Sequence, residues 1–274
     1  MMFRKRLAFG FGLGVVLGGV GLAAAAGSLS ELLYSEPSLL FGSSFESGTL
    51  VDGNDWNVSG NEPEITSAKA RAGKYAVKSH LHRYDSHTNY RTELRARAPH
   101  PVKGQDTWYG FSIYLPAPYE RDPVGETLAQ WHAIPDPGEQ QSNPPVALQI
   151  KDGQWGLYVR WNTSQPTVRS KQQQDSFRLG SPDTNEWTDW VFRIRWSYSN
   201  DGIVQVWKNG RQVLNRTGPN CFNDKTMPYF KMGIYKSKWR SMVGGVVERT
   251  VYHDEVRIAG KGASYADVVP GRSR

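Results

Sequence analysis

The stretch VALQIKDGQWGLYVRW, Val146 to Trp161, holds two runs of apolar and polar residues in alternation around Asp152–Gly153. Asp-Gly between alternating runs is a strong hairpin signal, because both turn positions require a positive φ. The segment therefore predicts two antiparallel strands. The same grammar recurs along the chain. GIVQVWKNGRQVL turns at Asn209–Gly210, and TWYGFSIYLP alternates until Pro116. DWVFRIRWSYS puts Phe192, Ile194 and Trp196 on one side and Arg193 and Arg195 on the other. PYFKMGIYKS and VYHDEVRIAG supply late strands. Helical periodicity is scarce outside LSELLYS, and no repeat is evident. Many strands with turn-rich joins imply a β-sandwich. Strands with one apolar and one polar, aromatic or basic face suit a two-sheet jelly roll with a chemically decorated face.

The chain has 274 residues. Arg4, Lys5 and Arg6 precede an uncharged apolar run, Leu7 to Ala26, that ends in small residues. This pattern is that of a secretory signal with a cut near Ala26–Gly27, or of a membrane anchor if uncleaved. Export, to the periplasm or beyond, is the expectation. The segment 27–38 reads as a linker, 39–264 as one β domain, and 265–274 as a loosely packed tail. The single cysteine, Cys221, excludes an intrachain disulfide, so the core must hold the fold alone. A formal charge of +7 falls to +4 without the three leader cations, a weak pointer to a polyanionic partner. No zinc-finger, RNP-type or helix-turn-helix pattern is present, so nucleic acid is not expected.

Three segments carry charged or polar residues at strand spacing. In NYRTELRARAP, Arg91, Glu93 and Arg95 share one face, with Thr92 and Leu94 on the other. A solvated sheet face would read the same way; on the other reading Glu93 is the ion-pair partner of the two arginines and fixes their side chains. In LAQWHAIP, Gln130 and His132 share a face and Trp131 opposes them. In YFKMGIYKSKW, Tyr229, Lys231, Gly233 and Tyr235 alternate with an apolar underside of Phe230, Met232 and Ile234. Glycine weakens a strand interior unless something must approach the backbone, either a ligand chain or a bulge.

Arg, Gln, His and Tyr on one face suit elimination beside a uronic acid. Arg and Gln neutralise the carboxylate so that the C5 proton becomes acidic. His or Tyr moves protons at C5 and O4. The blocks YRTELR, QWH and YFKMGIY resemble those of the alginate-lyase-like polysaccharide lyases, R-[TS]-E-L-R, Q-[IV]-H and Y-F-K-x-G-x-Y. Over about Phe41 to Gly260 the chain is similar to the related glucuronan-lyase and heparin-lyase-I-like group. The resemblance implies a concanavalin-A-like β-jelly roll with a concave substrate groove and no redox cofactor. It implies Arg91 and Gln130 as carboxylate neutralisers, His132 as neutraliser or base, and Tyr235 as proton donor and also base. It makes Arg95 and Lys231 groove residues for neighbouring uronates, with Tyr229 beside them. Trp131 and Ser237 depart from the alginate pattern and leave room for glucuronan or a sulfated glycan.

Other readings stand beside this one. His82 and Arg83 are expected to line the groove from a loop over one end of the cleft. His80 and His82 at strand spacing also raise a metal site, although no catalytic metal is expected and calcium enters only as a structural possibility. Asp254 and Glu255 raise a glycosidase pair, but the close carboxylate pattern of hydrolases with this fold is not found. A non-catalytic carbohydrate-binding sandwich would use the same aromatics. A monomer acting on an anionic polysaccharide is the expected assembly.

Overall fold

The structure is a computed structural model that describes residues 39–50, 56–242 and 245–271. The expected leader and linker lie outside the described residues. The first strands are β1 (Leu39–Ser43), β2 (Trp56–Gly60), β3 (Glu64–Thr66), β4 (Ala76–His82) and β5 (Arg91–Ala96). Next come β6 (Asp106–Tyr114), β7 (Glu126–Ile134), β8 (Val146–Lys151), β9 (Gln154–Trp161) and β10 (Gln173–Arg178). The last are β11 (Trp187–Arg195), β12 (Ile203–Lys208), β13 (Arg211–Thr217), β14 (Thr226–Tyr235) and β15 (Glu248–Ala259). One sheet runs β13-β12-β11-β6-β15-β4-β3, with β1 also on β15; the other runs β10-β9-β8-β7-β14-β5-β2. Strands remote in sequence thus lie side by side, as in a jelly roll.

Both hairpin turns form as the sequence predicts. Asp152 and Gly153 have φ of 53° and 68°, and Asn209 and Gly210 have 49° and 79°. Two successive positive φ angles match the right-handed twist of the flanking strands.

The sheets meet through aromatic rings. Phe111 and Phe192 of one sheet stack at 5.7 Å. Trp131 of the other touches Phe192 at 4.7 Å and Phe230 at 5.3 Å. All four rings are at most 3% exposed. Such contacts add about 0.5–1.5 kcal/mol per pair beyond simple burial. His253 also ties the sheets: its Nε2 donates to the Leu128 carbonyl at 3.0 Å. That carbonyl is available because β7 slips register between Thr127 and Ala129.

The C-terminal segment is not loose up to Gly271. A short helix α1 (Tyr265–Val268) buries Val268 against Trp108, Val191 and Ala259. Gly110 allows this close approach, since a Cβ there would lie 1.7 Å from the Val268 carbonyl oxygen. Arg257 donates to the Val269 carbonyl and Gly271 N–H donates to Glu255. The expected tail is therefore corrected: its described part is stapled to the sheet by hydrogen bonds between β15 side chains and its own backbone, which sequence alternation does not reveal.

Candidate active site

β14 lies between β7 and β5, and this neighbourhood assembles the three sequence blocks. Its register sets Tyr235 opposite Arg91 and Lys231 opposite Arg95. On its other side Tyr229 faces His132 and Lys231 faces Gln130. Register partners share a face. Arg91, Gln130, His132 and Tyr235 therefore stand on one face of three adjacent strands, with Phe230, Met232 and Ile234 in the core beneath.

Glu93 organises the centre. Its carboxylate is buried and accepts from the Lys231 ammonium at 2.7 Å. It also accepts a short hydrogen bond from the Gln130 amide N–H. Arg91 is a looser partner at 3.9 Å. Arg95, expected to share Glu93, instead lays its guanidinium over the Tyr229 ring, 3.9 Å from the centroid. Lys231, expected to hold neighbouring uronates, is 4% exposed with its charge directed to Glu93. The correction has a simple cause: a buried carboxylate needs a cation, and Lys231 is the close one.

Two catalytic candidates stack: the Arg91 guanidinium lies over the Tyr235 ring at 4.3 Å. A planar guanidinium on a ring keeps its N–H edges free for a carboxylate. Arg91 Nε and Gln130 Oε1 are both buried with no hydrogen-bond partner in the protein.

His132 stacks on Tyr229 with ring centres 5.6 Å apart. Its Nδ1 meets the Ala133 carbonyl at 3.0 Å, which requires a proton on Nδ1. Burial lowers its pKa, and Lys231 and Arg91 push the same way. The ring is thus neutral near pH 7, with its lone pair on Nε2. Burial also raises the Tyr229 pKa. Five residues of β7 separate His132 from Thr127, the partner of Tyr235, or about 15 Å of bulged strand. His132 and Tyr235 therefore stand at different heights along the same face.

Gly233 has φ of +130°, and a Cβ there would lie 2.2 Å from the Thr92 carbonyl oxygen. The neighbouring strand and a register slip between Met232 and Tyr235 require this glycine, so no ligand chain is needed to explain it. Trp131 is fully buried among core rings and stands on the opposite side of the sheet from Gln130 and His132.

His82 ends β4, in the opposite sheet. Its ring packs on Tyr84 and its amide donates to Asp85. Arg83 reaches the Met242 carbonyl. They begin the loop that leads into Arg91 and are not brought onto the face of the other four. His80 turns to Thr250 and Glu248, away from His82's partners. Among the described residues no group of three His, Cys, Asp or Glu side chains is placed to hold a metal ion. Asp254 and Glu255 are buried in the opposite sheet. Asp254 accepts the amides of Arg71 and Glu255, while Glu255 holds Arg257.

Sequence reading missed a buried ionic cluster beside Tyr235. The Lys236 ammonium contacts Asp122 at 3.1 Å and Glu126 at 2.8 Å, and Arg249 contacts Glu126 at 2.9 Å. The Lys236 amide donates to the Tyr90 carbonyl, joining the end of β14 to the start of β5. Acidic and basic members lie far apart in sequence, so no local pattern announces them.

The polysaccharide lyase family model matches residues 45–257. The chain belongs to the polysaccharide lyases. The fold of this lyase is shared with an endo-β-1,4-glucuronan lyase from the fungus Trichoderma reesei. That match has a TM-score of 0.70 and 22% identity, and covers 81% of this chain and 96% of the other. The cellulose induced protein Cip1 matches at TM-score 0.51 and 14% identity, covering 80% and 96%. The binding domain of Botulinum Neurotoxin DC in complex with SialylT matches at TM-score 0.55 and 12% identity, covering 84% and 50%. No curated protein sequence matches the lyase. Among its described residues no helix is long and apolar enough to cross a membrane.

Proposed function

We propose that this lyase is exported and cleaves a 1,4-linked polyuronate, such as glucuronan, alginate or a heparin-like chain, by β-elimination. The observation that carries the reading is the meeting of Arg91, Gln130, His132 and Tyr235 on one face of β5, β7 and β14.

The part-exposed Arg91 guanidinium binds the uronate carboxylate and stabilises the enolate-like charge, and the buried Gln130 supports it through their shared partner Glu93. The C5 proton passes to a base, its electron pair forms the C4–C5 double bond, and the C4–O4 bond breaks. Tyr235 gives its proton to O4. His132 presents a lone pair and no free N–H, so it serves as base and not as a carboxylate donor. It takes the C5 proton where that hydrogen and O4 lie on opposite ring faces. Where they lie on the same face, Tyr235 performs both transfers. The product carries an unsaturated uronate at its new non-reducing end.

The test is ultraviolet absorbance of the new double bond, with glucuronan, alginate and heparin assayed side by side. Tyr235→Phe should lower turnover by about 10²–10⁴-fold and keep most binding. Reducing ends without absorbance would indicate a hydrolase. Binding without either product would indicate a carbohydrate-binding sandwich. Either result overturns the reading.

A further inference from the structure

The face that carries the reactive residues continues onto β8, β9 and β10. Cross-strand register traces two rows over it. One row runs Arg91, Tyr235, Thr127, Gln149, Gly156, Arg178. The other runs Arg95, Lys231, Gln130, Ala147, Tyr158, Ser176. Both end at a cavity of about 760 Å³ whose lining includes Arg121, Lys151, Gly156, Tyr158 and Arg178. Arg178 lies four strand spacings from Tyr235, or about 19 Å, the reach of a short oligosaccharide.

The lining is basic. Asp152 is its one acidic side chain, 3.9 Å from Arg121. Lys151 and Arg178 are exposed and make no ion pair among the described residues. This contrasts with the arginines of the opposite sheet, where Arg193 and Arg195 both bind Asp106. Gly156 adds an independent sign. Its φ is not in the left-handed region, and a Cβ there would meet only the Phe177 carbonyl oxygen at 3.8 Å. Neither backbone conformation nor packing requires glycine here. What a side chain at Gly156 would do is project from the sheet into the cavity.

We propose that this cavity is a distal subsite for a second uronate of the same chain, its carboxylate held by Arg178 and Lys151 over a floor opened by Gly156. The proposal rests on the polyuronate reading above. A charge-assisted pair to Arg178 adds affinity for long substrates only, because a disaccharide at Tyr235 does not span the distance.

The test uses Tyr235→Phe protein, so that binding is read without turnover, and titrates a uronate hexasaccharide and disaccharide by calorimetry. Adding Arg178→Ala, or separately Gly156→Leu, should weaken the hexasaccharide about tenfold or more and leave the disaccharide unchanged. Melting temperature confirms that each variant is folded. Unchanged hexasaccharide affinity in both variants, equal weakening of both sugars, or no hexasaccharide binding at all overturns the subsite. Elimination by the parent enzyme with no effect of either variant removes the subsite and keeps the proposed function. Variant-sensitive binding with no ultraviolet product from the parent does the reverse.

Discussion

The guanidinium carbon of Arg91 lies 4.3 Å from the centre of the Tyr235 ring, across the β5–β14 pair. Stacking of this kind contributes about 0.5–2 kcal/mol and fixes the orientation of the fork. A lysine keeps the charge but cannot lie flat on the ring and offer two parallel N–H groups. Arg91→Lys should therefore lower kcat/KM by about 100-fold with little change in melting temperature. Steady-state kinetics and thermal melts measure the two effects. Activity within a few-fold of the parent would remove Arg91 from the carboxylate clamp.

Glu93 and Lys231 form an ion pair with side chains 2% and 5% exposed. Breaking such a pair leaves a buried charge without its partner and costs about 3–5 kcal/mol. Glu93→Gln should destabilise by that order in denaturant melts. Adding Lys231→Met should recover much of the loss, since the orphaned ammonium is gone. Equal stability of Glu93→Gln and parent would show that the pair does not support the site.

Strand faces were legible in the sequence because alternation fixes which side each residue takes. Asp152–Gly153 and Asn209–Gly210 announced their hairpins, and the three blocks announced the polar face. Register was not legible. Glu93 reads beside Arg91 and Arg95 as their partner, yet Lys231, 138 positions away, takes the close contact. Alternation likewise could not tell which sheet holds His82, because β4 continues into β5 only after the chain crosses from one sheet to the other. The slips at Leu128 and Gly233 arise from packing between remote strands, and the docking of α1 depends on Gly110. These are long-range facts with no local signature.

His132 should set the acid limb of activity. A base works unprotonated, so kcat/KM falls as pH drops through its free-enzyme pKa. Burial, Lys231 and Arg91 lower that pKa from 6.5. The acid limb should therefore have its midpoint below pH 6.5 on a polymer whose C5 hydrogen and O4 lie on opposite faces. Lys231→Met removes one of the depressing charges and should move the limb upward. A pH–rate profile shows both. A limb above 6.5 would reassign the base.

His253 and Asp254 should impose opposite pH dependences on stability. Burial pushes the His253 pKa down to about 4, while the unfolded value stays near 6.5. Between these values the unfolded chain binds the extra proton, so this contribution to stability is lost as pH falls. Burial pushes the Asp254 pKa up to about 7 from 3.8, so its contribution is lost as pH rises over an overlapping window. In their shared window the two slopes oppose each other. His253→Gln keeps a donor for the Leu128 carbonyl and removes one slope. Relative to the parent, it should gain on the order of 2 kcal/mol as pH is taken from about 7 to 4.5. Denaturant melts across that range measure the difference. A constant difference would mean that His253 is protonated in the folded core, where its Nδ1 has no acceptor.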